Sequence, residues 1–243
     1  MQRWGLKGGT LQTSSKLSGP RKIALLVLGA CILLSSLIGL GALYAAAPIT
    51  AKIIDSATGQ PIEGVNVVAT WNREGGLEGG AITGHAMVME AVTDANGQFH
   101  FPGWGPRLGL PSGAIKGAAP ELWFFKSGYR YQTVLNHAFM HRAPFYMRSD
   151  YDGAVIKLDR FTGSVEDYAK VTSSVLNISI DSLLANDECN WHSIPKFLRT
   201  LEQQNQILLA QHASEHLRSL EYLDVSYGRG CGDLKTFVEG HGK

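Results

Sequence analysis

Apolar residues follow three different rules along this chain. From Ile23 to Ala46 they run on as IALLVLGACILLSSLIGLGALYAA, without one charge. From Ile49 to Leu158 they come in short bursts with period two, as at Ile53 and then at Val65, Val67 and Ala69, the signature of half-buried strands. From Ser164 onward they recur at three- and four-residue spacing, the helical period.

Each rule predicts its own elements. The first run, 24 residues long, exceeds the roughly 20 that cross a bilayer, so one N-terminal transmembrane helix is predicted over 23–46. In the second region two strands flank the turn cluster Ser56-Ala57-Thr58-Gly59-Gln60-Pro61, where Gly59 can take positive φ and Pro61 fixes its own. Asp94-Ala95-Asn96-Gly97 is a second turn, leading into a short strand Gln98–Phe101. Leu122–Lys126 reads as an aromatic strand, Tyr129–Val134 as another and Ala154–Leu158 as the last. Alternation in His85-Ala86-Met87-Val88-Met89 puts His85, Met87 and Met89 on one strand face.

The third region predicts helices. Ser164 with Asp167 forms a loose capping box, followed by Val165, Tyr168, Val171, Val175 and Ile178. A second helix begins near Ser193-Ile194-Pro195, with a stripe of Ile194, Phe197, Leu198, Leu201, Leu208, Leu209, Leu217 and Leu220. Such stripes are unstable in water and must pack on something. Gly228, Gly230, Gly232, Gly240 and Gly242 make the end of the chain read as loop, and Gly75–Gly80 reads as a loop between strands.

Asp55, Thr58-Gly59-Gln60-Pro61-Ile62, Gly64-Val65, Val67, Thr93-Asp94, Asn96-Gly97, Phe99 and Gly128-Tyr129 together resemble the carboxypeptidase regulatory-like domain. The resemblance covers residues 49 to 134. It implies a mainly β fold, a transthyretin-like Greek-key β-sandwich over 48–160, here with a helical C-terminal extension over 161–243. Such modules are accessory, so it implies no activity.

Charge then orients the chain. Arg3, Lys7, Lys16, Arg21 and Lys22 give residues 1–22 a charge of +5, leaving −4 for the rest of a chain whose net charge is +1. A basic tail before the apolar run predicts a cytoplasmic N-terminus and a periplasmic C-terminal part, in the inner membrane of a bacterium. An acidic folded part disfavours nucleic acid. Three fates of the run stay open: retention as a signal anchor, cleavage near Ala45-Ala46-Ala47, and lipidation at Cys31 in the lipobox-like Leu28-Gly29-Ala30-Cys31. Pro48 and the length of the run favour the anchor. Cys189 and Cys231 both fall outside the membrane, where a disulfide is expected; free or metal-binding thiols are the rival, disfavoured by the wide separation.

Candidate chemistry is sparse. His212-Ala213-Ser214-Glu215-His216 matches the H-x-x-E-H zinc string, with His212 and His216 at i and i+4 on a helix and Glu215 beside them as general base. Only 27 residues follow it, with Glu221 and Glu239 the nearest carboxylates for a third ligand. The bland reading, a solvated helix face, is favoured. His137, Met140, His141 and Met147 form a mixed His/Met patch of a kind that suits copper; packing and surface filling are the simpler account. Trp71, Trp104, Trp123, Tyr129 and Tyr131 are candidate platforms for a glycan or protein partner, with Trp104, between two glycines, expected to be exposed and Trp123 expected in the core. Transthyretin-like hydrolases of purine breakdown end in Tyr-Arg-Gly-Ser, whereas this chain ends Glu239-Gly240-His241-Gly242-Lys243. Phosphate-loop and G-x-S-x-G patterns are absent from the sequence. The reading is a non-enzymatic, cofactor-free binding or assembly module on the membrane. Its expected partner is another envelope protein or a glycan; the alternative is a metal-binding or zinc-dependent hydrolytic protein centred on 212–216.

Overall fold

The computed structural model describes residues 43–75, 81–108, 114–115, 118–137, 146–175, 189–211 and 231–240, with isolated positions such as Ile180 and Leu183. The chain divides into two compact units, residues 1–41 and 42–243. The second is mainly β, with few helices. Its strands are β1 (Leu43–Ala46), β2 (Ile49–Asp55), β3 (Asn66–Gly75), β4 (Ala81–Val92), β5 (Gln98–Phe101), β6 (Trp104–Leu108), β7 (Ala114–Ile115), β8 (Glu121–Phe125), β9 (Gln132–Leu135), β10 (Tyr146–Met147) and β11 (Val155–Leu158). The helices are α1 (Val165–Val175), α2 (Pro195–Ala210) and α3 (Leu234–Gly240), with a 3-10 turn at Asn190–Ser193 before α2.

Three sheets result, with strand orders β10-β1-β6, β11-β2-β5 and β4-β3-β8-β9, and β7 also paired to β3. Sequence alternation decides which core each strand feeds. Val67, Ala69 and Trp71 of β3 and Leu122 and Phe124 of β8 join Ile49, Ile53, Phe99, Phe101 and Leu158 in one core between the sheets. Their neighbours Val68, Trp123 and Phe125, with Val88 of β4, face the other way into a second core. That second core is closed by Trp191, Ile194, Phe197, Leu198 and Leu201 at and after the 3-10 turn, and by Leu234 and Val238 of α3. Strand β3 is therefore buried on both faces over its first seven residues, which half-buried alternation did not anticipate.

The start of α2 settles against this second face through Phe197, Leu198 and Leu201, while Tyr168 and Ala169 of α1 pack with Leu208 of α2 and Phe161 in a smaller third cluster. Asp167 N donates to Ser164 Oγ at 3.1 Å, so the capping box forms. Along α1 the buried positions are Tyr168, Ala169, Thr172, Ser173 and Val175, while Val165 is exposed. Along α2 the expected residues Phe197, Leu198, Leu201 and Leu208 are buried, joined by Gln204 and Asn205; Leu209 is exposed instead. Leu217, Leu220 and Ile178 lie outside the described residues.

Two expectations are corrected here. The last four residues of the apolar run, Leu43–Ala46, are not helix but strand β1, paired antiparallel with β6 and parallel with β10. The close fit depends on glycine: a Cβ on Gly105, at φ +99°, would meet Tyr44 O at 2.5 Å, and one on Gly103 would meet Ala46 O at 2.9 Å. The end of the chain is not all loop either. Asp233 caps α3 by accepting from Lys235 N at 2.9 Å and Thr236 Oγ1 at 2.6 Å, and Leu234 and Val238 bury its inner side. Among the described residues, no helix is long and apolar enough to cross a membrane.

Candidate functional site

Polar side chains gather at four nodes, each built by the turns around it. The Ser56–Pro61 cluster folds back because Asp55 Oδ1 accepts from Ala57 N and Thr58 N, both at 3.0 Å. Its other oxygen accepts from Tyr129 Oη at 2.9 Å and Arg160 Nε at 2.7 Å. The Arg160 guanidinium also lies 5.2 Å from the centre of the Tyr129 ring. The Thr58 N–H leads in drawing the Asp55 carboxyl down to about 2 from 3.8, helped by Tyr129, Arg160 and Ala57 against the opposing effect of burial. Burial and the neighbouring Asp55 push the Tyr129 hydroxyl up, so the phenol stays a donor. This node ties β2, the loop after β8 and the chain after β11 together.

Asn136 makes the second node. Its Nδ2 donates to Ala119 O at 2.8 Å and to Arg148 O at 3.2 Å, while its Oδ1 accepts from Asp150 N at 3.0 Å. His137 sits just beyond, its backbone N donating to Asp150 Oδ2 at 2.7 Å. The His137 imidazole is largely exposed and 3.9 Å from the same carboxylate.

The third node joins sheet to helix. Glu90, the one charged residue of β4, accepts from Lys196 N and Phe197 N through Oε2, both at 3.0 Å. It thus supplies from a distant strand the cap that Ile194, an apolar N-cap, does not. Burial raises the Glu90 carboxyl above its usual range, and the two backbone donors offset part of that. A lone carboxylate in a 12-residue apolar strand was the sequence signal for this role.

At the fourth node His85 Nδ1 lies 3.1 Å from Asn190 Nδ2, beside Cys189. Here the expected face is corrected. Trp71 pairs with Met87 but Asn72 pairs with His85, so Ala86 is an extra residue in β4. That bulge reverses the side-chain alternation. Met87 and Met89 pack against the inter-sheet core, while His85 turns to the helical side. Cys189 and Cys231 are bonded to each other, with Cα atoms 5.3 Å apart.

The aromatic expectation is corrected as well. Trp104 is only 8% exposed, because β1 lies against its flanking glycines, and it meets Trp71 edge-on at 5.6 Å. Trp71 and Tyr129 are also buried, Trp123 lies in the core as expected, and Tyr131 packs against the helical core. The four buried rings offer no free stacking face, and Tyr131 is half-buried. His212, Glu215, His216, Met140, His141 and Cys31 lie outside the described residues. Among the described residues, no group of three or more His, Cys, Asp or Glu stands close enough to hold a metal.

No protein-family model matches the chain, and no curated protein sequence does. Among solved structures there is similarity to 3-chlorocatechol 1,2-dioxygenase from Rhodococcus opacus 1CP, at 12% identity over 50% of this chain and 62% of that one, TM-score 0.30. The dioxygenase domain of a dioxygenase carbohydrate-binding protein fusion from Streptomyces sp. SirexAA-E matches at 16% identity over 51% and 83%, TM-score 0.27. Shaft pilin spaA from Lactobacillus rhamnosus GG matches at 13% over 50% and 52%, TM-score 0.24. The chain thus spans less than two thirds of the first of these, and at such TM-scores the likeness carries no argument about activity.

Proposed function

We propose that this chain is a non-enzymatic binding or assembly module of the bacterial envelope, held in the inner membrane by an uncleaved N-terminal helix. Its sandwich then faces the periplasm, where it presents a transthyretin-like, carboxypeptidase regulatory-like domain to another envelope protein. The observation that carries this reading is the origin of β1. Cleavage near Ala45-Ala46-Ala47 would remove a strand that pairs with both β6 and β10 and whose Ala46 is buried. An anchor kept on the chain leaves that strand in place. It also leaves residues 23–42, twenty in number, before the fold, and twenty residues of helix span about 30 Å, the thickness of the hydrocarbon core. The bonded Cys189–Cys231 pair supports the same compartment, since disulfides persist in oxidising ones. Asp55, Asn136 and Glu90 spend their hydrogen bonds on the protein's own backbone and side chains, so these three serve the scaffold of the module.

The test is made on the full chain in bacterial membranes. Alkaline carbonate should leave it in the membrane pellet, an added protease should degrade residues beyond 43 only once the outer membrane is opened, and the chain should keep its full mass. A soluble product shortened by more than forty residues would sink the anchor reading.

A further inference from the structure

On the anchor reading, strand β1 follows the membrane span directly in sequence, which would put its surroundings at the water–lipid boundary. Leu43 is one residue beyond the proposed span, and β1 rises only about 3.3 Å per residue. The described residues around this strand have the composition of such a boundary. Leu43 and Tyr146 are exposed at 50% and 42%. Arg148 stacks over Tyr146 with its guanidinium 6.0 Å from the ring centre. Arg107 pairs with Tyr44 across β1 and β6, and its Nη1 donates to Ala86 O at 3.4 Å. Both arginines are exposed, and neither forms an ion pair among the described residues. Tyrosines favour the headgroup layer, where an apolar ring and a polar tip are both satisfied. Guanidinium forks match phosphate oxygens. Both arginines follow the span by more than sixty residues, so they do not weigh on its orientation.

We propose that the β10-β1-β6 sheet is a juxtamembrane platform: Leu43 and Tyr146 enter the headgroup layer, and Arg107 and Arg148 bind the phosphates of anionic phospholipids. This rests on the anchor reading and adds to it a fixed stance of the sandwich on the bilayer. The occupant is lipid rather than a protein partner for two reasons on the chain itself. The span ends at this sheet, and the free charges beside it are complementary to phosphate.

The test uses the full chain with Cys31→Ser, reconstituted in vesicles of phosphatidylcholine alone or with phosphatidylglycerol. Single nitroxide labels are placed at Leu33→Cys, Tyr146→Cys and Asn96→Cys, the last on the turn that packs against Ile53 of β2. Shielding from a water-soluble nickel chelate is the readout. The Tyr146 label should be shielded relative to the Asn96 label, more so with phosphatidylglycerol. Arg107→Gln with Arg148→Gln should remove that lipid dependence, each arginine contributing about five-fold in surface binding. A Tyr146 label as open as the Asn96 label, with the Leu33 label deep in the bilayer, would overturn the platform and leave the anchor standing. Shielding at Tyr146 that ignores both lipid charge and the glutamine pair would overturn the phosphate contact and point to a protein on that sheet. A water-exposed Leu33 label would remove the anchor and the platform together.

Discussion

Asp55 shows how much one side chain can hold. Four donors converge on it from three segments of chain, and the net effect is a carboxyl drawn to about 2 from 3.8. A group whose folded value lies below its unfolded value stabilises the fold fully above the unfolded value and loses that contribution as pH falls through the folded one. The melting temperature should therefore drop between about pH 4 and pH 2. Other lowered carboxyls, such as Asp167 and Asp233, contribute in the same direction. The Asp55 share is isolated by comparison with Asp55→Asn, which should melt lower than wild type at pH 6 and converge with it near pH 2. Parallel melting curves at every pH would refute the assignment. Asp55 and the Thr58-Gly59-Gln60-Pro61 turn were legible in the sequence because a short acid followed by a turn cluster is a local pattern. Arg160 was not, since its bond to Asp55 spans 105 residues.

At the scale of elements, the same divide between local and distant information recurs. Strands β2, β5, β8 and β11 and the start of α2 lie close to where alternation, turn residues and Pro195 put them. Strands β1, β6 and β10 had no such signature. They are short, and they exist because β1 pairs with both β6 and β10, each far away in sequence. Trp104 was misjudged for that reason: its glycine neighbours read as an exposed turn, whereas they are the space into which β1 fits. The bulge at Ala86, which turned His85 away from Met87, is a property of the β3–β4 pairing and has no residue signature. The start of α2 joins both kinds of information. Its position was readable from Pro195, but its cap comes from Glu90 on another strand. Glu90→Ala leaves Lys196 N and Phe197 N without that acceptor and should cost about 1–2 kcal/mol, seen as a lower urea midpoint at unchanged slope. No change in midpoint would mean that solvent serves those two donors equally well.

Across the whole molecule, the Cys189–Cys231 bond closes a loop between the 3-10 turn and α3, 42 residues apart in sequence. Loop-closure entropy of that length corresponds to about 4 kcal/mol. Cys189→Ser with Cys231→Ser, or reduction of the native chain, should lower unfolding stability by an amount of that order in a denaturant titration. Equal stability of oxidised and reduced chains would mean that α2 and α3 hold their places on the sheet without it. The pair was legible from cysteine count and spacing, but its role was not: it clamps the outer wall of the second core, which rests on Trp191, Phe197 and Leu234.

That second core is set back to back with the first on strand β3, where Val67 serves one and Val68 the other. At that point a single backbone separates them. A disturbance on either side therefore has no bulkhead to stop at, and the β-region and the helices after residue 160 share one fate. The helical segment is not a passenger that could be cut away or replaced to suit a different partner. The strand at its centre answers to two sets of neighbours at once, so a substitution on either of its faces reaches a packed core.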